Sequence, residues 1–173
     1  MSRSHTYELT VRWTGNRGTG TDSYRSFGRI HEVLAEGKPT IPASSDPHFR
    51  GDPDRWNPEE LLVASLSECH MLWYLHLCAT GGVVVTGYTD QPVGTVEMDE
   101  GGRGGGQFTE VVLRPEITVT DASMIDRAVA LHAEVPARCF IARSVNFPVQ
   151  HRPNVTAAPP AGQAPGQAPA AGG

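Results

Sequence analysis

Three thiols, Cys69, Cys78 and Cys139, are the side chains of this 173-residue chain best suited to covalent chemistry. A cysteine attacks as the thiolate, so its surroundings decide whether it can act. Cys69 stands between Glu68 and His70 within an otherwise apolar run. Cys139 follows Pro136, beside Arg138 and near Arg143, where a short helical turn is expected. Cations and helix N-termini favour a thiolate. Cys78, flanked by Leu77 and Ala79 with no charge nearby, reads as a small buried hydrophobe. Cys69 and Cys139 are therefore the candidates for redox chemistry.

Two other chemistries fit these residues poorly. His70, His76 and His132 add imidazole ligands to the thiols, but no CxxC, HxxxH or HExxH spacing occurs, and no metal site is expected. His70 follows Cys69 directly and would point about 100° away around a helix, which makes it a poor general base for its neighbour. The GGRGGG stretch lacks the lysine and the strand-to-helix setting of a phosphate-binding loop and reads as a hairpin tip.

Composition narrows the setting. Apolar residues make up 39% and charged residues 19%, as in globular chains. Lys+Arg number 14 against Asp+Glu 19, and no basic stripe exists to follow a phosphate backbone, so nucleic acid is not an expected partner. The N-terminus lacks an apolar leader, and no run appears apolar enough to cross a bilayer; no membrane partner and a cytoplasmic location are the expectation. Three scattered cysteines do not make a secreted disulfide framework. From 157 the chain reads AAPPAGQAPGQAPAAGG, which has nothing to bury. We assign one domain to 1–152 and a disordered Pro/Ala/Gly-rich tail to 153–173.

The elements that must position the thiols follow from pattern. Tyr7 to Trp13 alternate like a half-buried strand, and the turn GNRGTGT after it carries Arg17 between glycines. Residues 37–57, dense in Pro, Gly, Asp and Ser, predict a long loop that includes Arg50. Asn57 as N-cap, Pro58 at the first turn and Glu59 and Glu60 behind it start a helix that stops at Gly81-Gly82. It spans about 22 residues, roughly 33 Å, and is apolar around most of its circumference. One small domain has too little material to cover such a helix, which predicts a second subunit. Strands over Val83–Tyr88, Val93–Met98, Phe108–Leu113 and Glu116–Thr120 suggest an antiparallel meander. Asp121 caps a second helix whose stripe is Ile125, Val129 and His132 or Ala133, and SVNFPVQ closes the domain as a strand. The class is α+β.

The run WNPEELLVASLSECHMLWYLHL, with the later CFIARSVNFPV, resembles the OsmC family of thiol-dependent hydroperoxide reductases, which includes the organic hydroperoxide resistance proteins. Asn57-Pro58-Glu59, Leu61 and a cysteine ten residues after Glu59 carry the likeness, and the order of features matches from about Tyr7 to Gln150. The resemblance implies an OsmC-like fold with antiparallel sheets, a long buried central helix and an intertwined homodimer. It also implies that Cys69 is the peroxidatic and Cys139 the resolving cysteine, that Arg17 activates the thiolate with Arg50 as rival, and that Glu59 holds the guanidinium. The activity so implied is reduction of organic hydroperoxides through a Cys69 sulfenic acid and a Cys69–Cys139 disulfide. No cofactor takes part; an external dithiol, typically a lipoylated protein in the family, regenerates the thiols. His70 and the long loop 37–57 depart from the family's usual pattern. A non-catalytic binder of a small apolar ligand, or an oxidant sensor built on the same thiols, is the alternative.

One constraint comes from helix geometry. Ten residues separate Glu59 and Cys69, about 15 Å along a straight helix, too far to share a peroxide. The helix either bends, or the site draws Arg17 and Glu59 from one chain and both cysteines from the other.

Overall fold

The structure, a computed structural model, describes residues 4–100 and 105–159. The chain divides into two compact units, Met1–Ala64 and Ser65–Gly173.

In the first unit, strands β1 (Thr10–Trp13), β2 (His31–Leu34) and β3 (Ile41–Ala43) form an antiparallel sheet in that order. Val11 pairs with Val33 and Arg12 with Glu32, whose side chains form an exposed 3.8 Å ion pair. The alternation of Tyr7, Leu9, Val11 and Trp13 predicts a half-buried face; all four side chains are exposed in this chain. The segment 37–57, expected to be loop throughout, contains β3 and a 3₁₀ turn over Pro47–Phe49. Asp46 caps that turn by accepting from the His48 N–H at 2.7 Å, and the Ser44 N–H donates to the Trp56 carbonyl. Composition hid β3 because Pro42 sits at its centre, although it pairs with β2 across a short hairpin, Ile41 opposite Val33.

Helix α1 (Pro58–Thr80) starts and stops where the sequence says. The Asn57 carboxamide accepts from the Glu60 N–H at 2.8 Å, and the Glu60 carboxylate accepts from the Asn57 N–H at 3.2 Å, a reciprocal capping box. At the other end Gly82 takes φ 75°, and the Val83 N–H donates back to the Cys78 carbonyl at 2.9 Å. Asn57→Ala should cost about 1 kcal/mol, since it orphans the Glu60 N–H; a urea-denaturation midpoint unchanged from the parent would contradict this. Contrary to the expectation that no stretch is apolar enough to cross a bilayer, α1 is, with mean hydropathy 1.2 and 23 residues. Its stripe Leu66, His70, Tyr74 and Leu77 is buried against protein, while Leu72 stands 63% exposed.

The second unit holds three long strands, each broken by a kink. The first gives β4 (Val85–Asp90) and β5 (Val93–Met98), the second β6 (Gly106–Leu113) and β7 (Pro115–Val119), the third β8 (Val149–His151) and β9 (Asn154–Ala157). Pro92, Pro115 and Pro153 mark the kinks, where a ladder N–H is missing. Asp90 fixes one kink by accepting from the Arg114 N–H at 2.7 Å and from the Ser67 hydroxyl at 2.6 Å.

The sheets are β4-β7-β9 and β5-β6-β8. The meander is thus corrected: β4 pairs with β7 rather than with β5. The all-antiparallel expectation is corrected as well, since β8 and β9 run parallel to β6 and β7. They return after α2 (Ile125–His132), a crossover that permits parallel pairing. Strand β9 occupies residues assigned above to the tail from 153: Val155 and Ala157 pack on the core. The tail beyond Pro159 lies outside the described residues, as does the Gly101–Gly104 part of the glycine-rich tip.

Asp121 caps the approach to α2, accepting from the Ser123 N–H at 2.8 Å, but the first turn, Ala122–Met124, is 3₁₀. That turn advances about 120° per residue rather than 100° and changes the phase of the stripe. Ala128, Leu131 and His132 are buried, whereas Val129, expected inside, is exposed. The core comprises Tyr74, Leu77, Cys78, Val83, Ile117, Val119, Ala128, Leu131, Val135 and Cys139.

Candidate active site

Cys69 lies half-buried on α1, and Cys139 is 1% exposed after the turn that follows α2. Both are free thiols although 70 residues apart in sequence, and they face each other. Burial, then the facing Cys69 thiol, pushes the Cys139 thiol up to about 11. In the opposite sense, the Ala142 N–H points at its sulfur from 3.4 Å, at the 3₁₀ turn Ala142–Ser144. Cys139 therefore keeps its proton at neutral pH. Cys78 is buried as expected, and desolvation raises its pKa.

Beside the thiols lies a group of imidazoles that motif reading did not assemble. His70 Nε2 and His132 Nδ1 are 3.0 Å apart, with rings nearly parallel and centroids at 5.2 Å. His151, on β8, lies 5.4 Å from His70 and 6.0 Å from His132, centroid to centroid. Tyr74 stacks on the face of His132, with ring centroids 3.8 Å apart. Desolvation and then His151 push His70 down to about 4; desolvation, then His70 and His151, push His132 down to about 3. Desolvation lowers His151 also. All are neutral near pH 7. The facing nitrogens of His70 and His132 bond each other rather than a common point, and among the described residues no group of three His, Cys, Asp or Glu is placed to hold a metal ion. The available signal was a histidine on the apolar stripe of each helix; His151 offered none.

The first unit carries the charged candidates. Arg17 is exposed on a turn ordered by Asn16, whose side-chain oxygen accepts from the Gly18 and Gly20 N–H groups at 2.9 and 3.0 Å. The base of the turn is tight. Gly28 donates to the Gly15 carbonyl at 2.8 Å, and a Cβ on Gly15 would strike the Gly28 carbonyl. Arg50 has φ 67°, the one positive value on a non-glycine among the described residues, and its guanidinium lies 5.8 Å from the Tyr24 ring. Arg29 covers the same ring at 4.4 Å. Glu59 keeps one carboxylate oxygen buried without a hydrogen-bond partner. Among the described residues it forms no ion pair with Arg17 or Arg50, so the expected clamp is not made within one chain. Helix α1 is continuous over its 23 residues, Pro58–Thr80.

Comparison with known proteins places this arrangement. A family model described as OsmC-like protein matches residues 51–153, more than half of the chain. No curated protein matches. Among solved structures, an OsmC-like protein of unknown function from Vibrio cholerae O1 biovar eltor is 29% identical, with a TM-score of 0.77 over 87% of this chain and 100% of that one. An organic hydroperoxide resistance protein from Elizabethkingia anophelis superposes with a TM-score of 0.65 at 18% identity, covering 91% and 100%. One from Legionella pneumophila does so with 0.63 at 15% identity, covering 90% and 99%. The last two are similar in fold alone. The match over 51–153 takes in the capped start of α1, both facing thiols and the strands that return beside them, and on that ground the chain belongs to the OsmC-like protein family.

Proposed function

We propose that this chain is a cysteine-based reductase of organic hydroperoxides. The observation that carries the reading is the face-to-face placement of Cys69 and Cys139, one partly accessible and the other buried and protonated. The Cys69 thiolate attacks the distal peroxide oxygen; the O–O bond breaks, the alkoxide leaves with a proton as an alcohol, and Cys69 becomes a sulfenic acid. Cys139 then attacks the Cys69 sulfur, water departs, and a disulfide forms. An external dithiol, a lipoylated protein by family resemblance, returns both thiols. A deeply buried second thiol suits this order, since it stays protonated and unreactive toward peroxide until its partner is oxidised.

Arg17, with Arg50 as rival, supplies the guanidinium that stabilises the thiolate and binds the peroxide, and Glu59 orients it. Two features support a homodimer in which these groups serve the partner's cysteines. Leu72 stands out from α1, and β1 exposes an apolar face. Intact mass after one equivalent of cumene hydroperoxide tests the core of the reading. The parent should lose two hydrogens, and Cys139→Ser should gain one oxygen. If peroxide is not turned over with a dithiol present, while one equivalent still forms the disulfide slowly, the oxidant-sensor alternative holds instead.

A further inference from the structure

The disulfide-forming step poses a proton problem that the second unit is built to solve. Cys139 must lose its proton as its sulfur bonds to Cys69, and the hydroxide leaving Cys69 must gain one. Cys139 lines a cavity of about 10 Å³ with Leu66, His70, Pro136, Val149 and His151. That volume is at the lower limit for a single water. No carboxylate, lysine or arginine lines it. The thiol therefore cannot ionise in advance against a fixed charge; its proton has to move while the S–S bond forms.

We propose that His70 is the catalytic base of this step, taking the proton from the Cys139 sulfur and passing it to solvent once the S–S bond has formed, with His132 as the residue that positions it; the hydroxide that departs from half-buried Cys69 takes its proton from solvent. The inference rests on the reductase reading above. The balance is Cys69–SOH plus Cys139–SH to the disulfide plus water: one S–S bond forms, one S–O bond breaks, and the imidazole ends neutral as it began. His70 is a poor base for Cys69, its sequence neighbour, yet it shares a cavity with Cys139. Its Nε2 is held by His132, which leaves the other ring nitrogen to exchange protons. His132 is itself clamped against Tyr74. Its Nε2 is buried with no hydrogen-bond partner. A native structure seldom carries such an orphan without a use. Here the nitrogen lets the His70–His132 pair share the proton in transit across two rings. The titratable groups facing His70 are His132 from α2, His151 from β8 and the Cys139 thiol, with Tyr74 one turn along α1. With His70 pushed down to about 4, the imidazole holds the proton only while the S–S bond forms, and no permanent charge stands beside the thiols.

Rapid-quench intact mass with one equivalent of cumene hydroperoxide separates the two steps. In His70→Gln the gain of one oxygen should proceed at the parent rate, while the loss of two hydrogens slows by about 10²-fold. In His70→Ala, whose truncation leaves room for the ring, added imidazole should restore part of the second rate in proportion to its free-base fraction, a response that a merely structural role would not give. A second step at the parent rate in His70→Gln overturns the proposal. Should that variant not fold, His132→Phe keeps the stacking on Tyr74 and removes the nitrogen that holds His70; an unslowed second step there overturns it equally. A parent that neither gains oxygen nor forms a disulfide overturns the reductase reading itself, and this inference with it.

Discussion

Cys69→Ser is expected to lower hydroperoxide turnover by at least about 10³-fold, because a hydroxyl at that position supplies no nucleophile of comparable strength at neutral pH. The Cys69→Ser chain should nevertheless restore activity to a second dead variant. If the guanidinium and Glu59 of one chain serve the cysteines of the other, a dimer of Cys69→Ser with Arg17→Ala contains one intact site and one doubly defective site. Random mixing makes about half of all dimers mixed, so recovery should approach a quarter of parent activity. Arg50→Ala mixed in the same way decides between the two arginines, since only a variant that is itself inactive can be complemented. If neither mixture exceeds its inactive parents while mass spectrometry confirms mixed dimers, the shared site is lost as an explanation.

Acid should unfold this protein earlier than its carboxylates would require. His70 is pushed from 6.5 to about 4, and His132 from 6.5 to about 3. Below pH 6.5 the unfolded chain binds protons at these rings that the folded chain refuses, so stability present above that pH is lost as pH falls. The loss runs from 6.5 to about 4 for His70 and continues to about 3 for His132. Each group contributes up to about 1.4 kcal/mol per pH unit. For the pair this is on the order of 5 kcal/mol by pH 4, against a typical total stability of about 5–15. Urea midpoints should therefore fall steeply between pH 6.5 and 4, and His132→Phe should flatten the slope. Equal midpoints at pH 7 and pH 5 would show that the rings reach solvent before the fold gives way.

Local chemistry made part of this structure readable in advance. Helix α1 carries both of its end signals in sequence, Asn57-Pro58 with Glu60 and Gly81-Gly82, and its limits followed from them. Strand β5 ran where β-rich composition put it. Strand β2 was not anticipated, because His31–Leu34 is half-buried on both faces and shows no alternation. Strand β9 was hidden by the composition around it, although Val155 faces the core. The sorting of strands into two mixed sheets is tertiary information and has no local trace. The same holds for the site. The two candidate cysteines stood out by their neighbours, whereas the imidazole group draws one residue each from α1, α2 and β8 and forms only on folding.

The kinked third strand has a consequence for where the chain can end. Strand β7 lies between β4 and β9, with its register to β9 running from Glu116 opposite Asn154 to Val119 opposite Ala157. Chain termination at 152, which composition alone would recommend, strips that flank and leaves a row of unsatisfied main-chain donors and acceptors next to apolar Ile117 and Val119. Such a bare border is a template on which further chains can add themselves. With β9 in place the free border moves out to a strand of only four residues, whose exposed Asn154 and Thr156 make a poorer template than Ile117 and Val119.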